Sequence, residues 1–156
     1  MRALLTAQAQ SRHLDFAARW LQSKGRGYYT IGSAGHESNA ALGLVSRVTD
    51  PALLHYRSGG FYAARAALAG SEHGITAVLA SLTSAANDPI SAGRHKVFGH
   101  PGLHIIPQTS TIASHVPRSV GLASSRRSQS VGLLVTGTFQ LGRSCPVAAR
   151  TIGWSA

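Results

Sequence analysis

Residues Lys24–Arg57 read KGRGYYTIGSAGHESNAALGLVSRVTDPALLHYR, and this stretch decides how the chain is read. Gly32-Ser33-Ala34-Gly35 is a glycine-bounded turn leading into an acidic helix start, His36-Glu37-Ser38. An apolar helical face follows, over about His36 to Arg47, and Glu37 in its first turn suits the positive end of the helix dipole. Asp50-Pro51 marks a boundary. Leu53-Leu54-His55-Tyr56 is a short strand, and the Tyr56–Arg57 pair closes the stretch. Such an arrangement can hold an anionic cofactor. Glycines let the backbone approach closely, and an arginine offers phosphate a planar fork of donors.

Outward from this stretch, residues 3–22 carry Leu4, Leu14, Phe16, Ala17, Trp20 and Leu21 at three- and four-residue steps, which predicts an amphipathic helix. Gly25 and Gly27 end it. On the other side, Arg57-Ser58-Gly59-Gly60 turns into a helix over Phe61–Ala69, and a second short helix fits Gly74–Leu82. Residues 83–102 read as a long loop, and loops of that length in a compact domain are functional or mobile. Leu103–Ile106 is strand-like. Ile112–Leu122 reads as a helix with Pro117 in its first turns. After Ala123 the text changes to SSRRSQSVGLLVTGTFQLGRSCPVAARTIGWSA. Val131–Val135 is the one buried-strand candidate there, and Ile152 and Trp154 have no periodic partners.

The chain has 156 residues, enough for one domain with a core. Its net charge of +10 points at first to a polyanion partner. The excess comes from missing acids rather than added bases: Asp15, Glu37, Asp50, Glu72 and Asp88 are the five carboxylates. The basic residues are scattered, only Arg126–Arg127 being adjacent, so nucleic acid is not the expected partner. No apolar run reaches membrane-spanning length, and no leader pattern opens the chain, so a cytoplasmic location is expected. Cys145 stands alone, which excludes an internal disulfide and a cysteine metal cluster. His95, His100 and His104 share one loop, but no nearby acid or cysteine completes a zinc set. They read as hydrogen-bonding loop histidines or as the lining of a pocket.

Three blocks in order carry a family resemblance: the Lys24–Arg57 stretch, its continuation HYRSGG, and Ile90–Ala123, which reads ISAGRHKVFGHPGLHIIPQTSTIASHVPRSVGLA. Over roughly residues 11–123 the chain resembles the alpha subunit of the thiamine-diphosphate-dependent decarboxylating component of 2-oxo acid dehydrogenases, branched-chain (2-oxoisovalerate) type. The resemblance implies an α/β fold, here part of a doubly wound parallel-sheet domain. It implies oxidative decarboxylation of a 2-oxo acid with transfer of the acyl group to a lipoyl arm. Thiamine diphosphate with magnesium is the implied cofactor. The implied partners are a beta subunit or beta-like domain and a lipoyl acyltransferase.

Residue by residue, Tyr56 and Arg57 match the family's diphosphate- and ring-contacting pair. Read without the resemblance, Arg57 is an arginine salt-bridged at a strand end. Ser110 and Ile112 match positions under the aminopyrimidine ring, and Ser110 also reads as a helix cap. His55 is a substrate-pocket candidate, whereas His36 reads as a local cap or packing residue. Thr109, Thr111, Ser114 and His115 overlap a loop that binds a monovalent cation in some relatives, although His115 stands where those carry glutamine.

The family's magnesium motif is missing. A Gly-Asp after the next strand and a later Asn would carry the metal, yet no Asp, Glu or Asn follows Asp88. Hard cations need such oxygen ligands. The family's catalytic histidine and the beta-half glutamate have no counterpart either, so no catalytic residue and no metal ligand is assigned. Residues 1–123 therefore read as the N-terminal part of a thiamine-diphosphate-binding dehydrogenase domain, truncated, and 124–156 as a divergent tail, frameshifted or disordered. The expectation is a chain inactive alone. The alternatives are a noncatalytic remnant or beta-subunit-binding module and, ranked below it, a basic nucleic-acid-binding protein.

Overall fold

The computed structural model describes residues 1–28, 32–71, 74–88, 90, 98–108, 111 and 113–127. The described part is mixed α/β and mostly helical, with a two-stranded parallel sheet. In chain order it comprises α1 (Arg2–Ser23), α2 (Asn39–Val45), β1 (Ala52–Leu53), α3 (Gly59–Leu68), α4 (Gly74–Leu82), a 3-10 turn (Pro101–Leu103), β2 (Ile105–Ile106) and α5 (His115–Arg127). The strands pair Ala52 with Ile105 and Leu53 with Ile106. Parallel neighbours need a long crossover, and α3 and α4 lie within it. The strand candidate Val131–Val135 and the tail lie outside the described residues.

Helix α3 is the centre of the molecule. Every residue from Gly59 to Ala66 is buried, as expected of a helix that is apolar nearly all round. Small residues bring α2 against it. A Cβ on Gly43 would stand 2.7 Å from the Phe61 carbonyl oxygen and 2.9 Å from the Ala64 Cβ. Ala40 and Ala64 are wholly enclosed at the same contact. On the other side, Leu14 and Ala18 of α1, Val78 and Leu82 of α4, and Phe98, Leu103 and Ile105 complete the main core around Phe61, Tyr62 and Ala66.

One cation lies inside this core. Arg65 is 1% exposed, and its guanidinium stacks 4.6 Å over the Phe61 ring. Its Nη1 donates to the Asp50 carbonyl at 2.7 Å and its Nη2 to Ser46 Oγ at 2.6 Å. A longer Nη1 contact reaches the Leu103 carbonyl at 3.4 Å. Burial lowers the Arg65 pKa from its ordinary value, and the nearby Asp50 opposes that shift. The guanidinium thus joins the end of α2, the entry to β1 and the turn before β2.

Several elements differ from their sequence reading. Helix α1 has the expected extent but turns a different face inward: Ala7, Ser11, Leu14, Asp15 and Ala18 are buried, while Phe16 and Trp20 are exposed. The small side chains admit close packing, and Asp15 is drawn in by Ser33. Helix α2 starts at Asn39, so Glu37 lies in the preceding turn rather than in the helix. The His36 N–H donating to the Ser33 carbonyl at 2.7 Å makes that turn. Strand β1 ends at Leu53, because the Ser58 N–H folds back onto the His55 carbonyl and starts α3.

Two substitutions test this packing. Arg65→Ala removes two charge-assisted hydrogen bonds and is expected to lower unfolding free energy by about 3–5 kcal/mol in urea titration. Gly43→Ala sets helix propensity, a gain of about 1 kcal/mol, against backbone overlap at Phe61, a cost of about 1–3 kcal/mol. We expect a net loss of stability. At Gly121, where a Cβ meets nothing within 4 Å, the same change is expected to stabilise.

Candidate functional site

Arg57 stands just beyond the carboxyl end of β1, where ligands bind in parallel α/β sheets. Its Nη1 donates to the Gly32 carbonyl at 2.6 Å. Among the described residues its Nε is buried without a partner, as is that of Arg65. The guanidinium lies 5.4 Å from the Tyr56 ring centroid. The Arg57 backbone N–H points at His55 Nδ1 at 3.4 Å, a long contact.

The glycine turn that receives Arg57 is itself fixed from α1. Asp15, 5% exposed, accepts from the Ser33 N–H at 2.8 and 3.0 Å and from Ser33 Oγ at 2.8 Å. Arg12 pairs with the same carboxylate at 3.2 Å. Any side chain at Gly32 would collide with it, since a Cβ there would be 2.8 Å from Asp15 Oδ2. Gly35 then takes φ +82°, a conformation that glycine adopts without strain. One chain of polar contacts therefore runs from Arg12 through Asp15 and the glycine turn to Arg57.

Gln108 holds the segment from the other strand. Buried beyond β2, its Nε2 donates to the Leu54 carbonyl at 3.0 Å, and its Oε1 has no partner among the described residues. Neither Asp15 nor Gln108 was singled out by sequence reasoning. Their bonds span 18 and 54 residues, and no local pattern reports such contacts.

Three histidines converge beside this frame. The His36 and His55 rings stack at 6.4 Å, and His55 lies 3.7 Å from the Tyr56 ring. His55 and His115 line a small cleft with Asn39, Leu42 and Phe61. Burial, the neighbouring His36 and His115, and the Arg57 charge push the His55 pKa down to about 4. Burial and Arg57 lower that of His36, with Glu37 opposing. Burial lowers that of His115, whose Nδ1 has no partner among the described residues. His36 is thus part of the cluster rather than a cap.

Tyr56, Arg57 and His55 come together, with His115 at the start of α5 beside them. Ser110, Ile112, Thr109 and His95 lie outside the described residues. Thr111 and Ser114 belong to the turn entering α5, where the Ser114 N–H donates to the Thr111 carbonyl at 3.1 Å. His100 and His104 flank the 3-10 turn before β2. His100 lines a separate cleft of about 480 Å³, open mouth included, with Tyr62, Val78, Asp88 and Phe98. Among the described residues no group of three or more His, Cys, Asp or Glu is placed to hold a metal ion. No described helix is long and apolar enough to cross a membrane.

No protein-family model, curated protein or solved structure matches the chain.

The lowered histidine pKa values set a pH dependence. Below about 6.5 the unfolded chain takes up protons that folded His55 refuses down to about 4. Stability contributed by neutral His55 is complete above that window and is lost as pH falls through it. We expect the urea midpoint to drop between pH 7 and pH 4.5, and to drop less in His55→Asn. An equal drop in both proteins would remove His55 from the account.

Proposed function

We propose that residues 1–123 form part of a doubly wound, thiamine-diphosphate-binding domain of the 2-oxo acid dehydrogenase alpha type, one that is noncatalytic on its own. The observation that carries the reading is the Arg57 guanidinium, anchored on the Gly32 carbonyl beyond the end of a parallel strand, its Nε without a partner among the described residues. An anionic group is a strong acceptor for such a donor. Arg57, one of the pair that the resemblance assigns to the diphosphate, hydrogen-bonds the glycine turn, which supports this reading.

Thiamine diphosphate, when bound, supplies the carbanion chemistry of 2-oxo acid decarboxylation. The chain's own residues would bind and orient it. Arg57 would pair with diphosphate oxygens, Tyr56 would donate a hydrogen bond, and neutral His55 would face the substrate. Ser110 and Ile112 would seat the aminopyrimidine. The donor set fits the anion but not its metal. No Asp, Glu or Asn occurs beyond Asp88, so a bridging magnesium has no counterpart ligands in that part of the sequence. The reading therefore assigns one wall of a site, with the metal clamp and the activating glutamate supplied by other chains or not at all. A beta subunit or beta-like domain is the proposed partner, and a lipoyl acyltransferase the acceptor in the complete assembly.

Calorimetric titration tests this. We expect thiamine diphosphate and inorganic pyrophosphate to bind, thiamine without its diphosphate not to bind, and added magnesium to change little. Arg57→Ala should weaken binding at least tenfold, about 1.4 kcal/mol. Equal binding by Arg57→Ala, or no heat with or without a candidate beta subunit, would overturn the cofactor assignment. Stable beta-subunit binding without cofactor binding would favour the noncatalytic docking module.

A further inference from the structure

Helix α1 carries a second apolar line on the side away from the core. Leu5, Ala9, His13, Phe16 and Trp20 follow one another at steps of four, four, three and four residues. All five are exposed; Leu5 is 61%, Phe16 52% and Trp20 58% exposed. The buried line of the same helix runs through Ala7, Ser11, Leu14 and Ala18. At about 100° per residue the two lines lie on opposite sides of the helix, and the outer one fits within roughly 80° of arc.

From this juxtaposition we propose that the outer face of α1 is a docking seam for a helix of another protein, one whose own apolar stripe is bordered by Asp and Glu. The width of the seam selects a helix. A membrane-bound or core-facing helix needs a broad apolar face, whereas a narrow line at three- and four-residue spacing is a coiled-coil seam. Ala9, small and near the middle, lets a partner approach closely. The Arg12 guanidinium lies 5.3 Å over the Phe16 ring, and His13 lies 6.5 Å from it, which holds Phe16 in the seam.

Charge selects the partner. Arg12 and Arg19 border the seam on one side, while Arg2 and Lys24 stand at its ends. The one carboxylate of α1, Asp15, is buried and engaged by Ser33 and Arg12. Two copies of this chain joined through α1 would therefore set cations against cations, with no exposed acid on the helix to offset them. An acid-bordered helix meets them with opposite charge, which sets orientation and rejects basic competitors. This inference is independent of the cofactor reading.

The test uses the full chain carrying Trp154→Phe, so that Trp20 alone reports. The probe is a synthetic helical peptide with leucines at three- and four-residue steps and glutamates beside them. A second peptide has lysines in place of the glutamates. We expect saturable blue-shifted Trp20 emission with the glutamate peptide, at least tenfold tighter than with the lysine peptide. Phe16→Glu should weaken that binding at least tenfold without altering the circular dichroism spectrum. Gln22→Glu, exposed but off the seam, should not weaken it. Equal affinity for both peptides, or Phe16→Glu without effect, would overturn the proposal. So would concentration-dependent self-association abolished by Phe16→Glu, or a Trp20 shift given only by phosphatidylserine vesicles.

Discussion

The buried guanidinium of Arg65 is the constraint on which the rest of the described structure depends. A charge enclosed in an apolar core is costly unless its donors are used. Here Nη1 and Nη2 are used on Asp50, Ser46 and, at longer range, Leu103, while Nε has no partner among the described residues. Those three residues close α2, lead into β1 and precede β2. The two strands contribute only two residues each, too little to set their own register. Their pairing follows from the loops that Arg65 holds, together with Gln108 reaching back to Leu54. The segment His55-Tyr56-Arg57 leaves β1 from that fixed point.

Close helix packing adds the second requirement. Gly43, Gly60 and Ala40 bring α2 against α3 with little room for larger side chains. The turn before α2 is thereby held near the start of α3, and Arg57 can reach the Gly32 carbonyl. Asp15 holds the same turn from α1. Three elements distant in sequence thus converge on one arginine, with neutral histidines beside it. Protonating any of those histidines places another positive charge near Arg57, and Glu37 opposes the lowering at His36.

Parts of this arrangement were legible in the sequence and parts were not. Helix α4 has the bounds its apolar spacing and Gly74 predict. The extent of α1 was legible, but its inward face was not. Phe16 and Trp20 dominate a hydrophobicity reading, yet the structure buries Ala7, Ser11 and Asp15, because packing distance and a long-range hydrogen bond outweigh side-chain apolarity. The doubly wound sheet expected from the resemblance reduces, in the described residues, to one parallel pair. Tyr56 and Arg57 stood out through the family resemblance, since from the residues alone Arg57 reads as an arginine salt-bridged at a strand end. Asp15, Arg65 and Gln108 did not, since each is defined by partners many residues away.

The glycine turn and the segment leaving β1 jointly frame the proposed site. Amide hydrogen exchange of the intact chain, read with and without thiamine diphosphate, addresses that claim most directly. The prediction is added protection confined to residues 32–36 and 55–58, appearing together and vanishing together in Asp15→Ala, which frees the turn without touching Arg57. Protection of only one segment, or of neither, would contradict a site built from both.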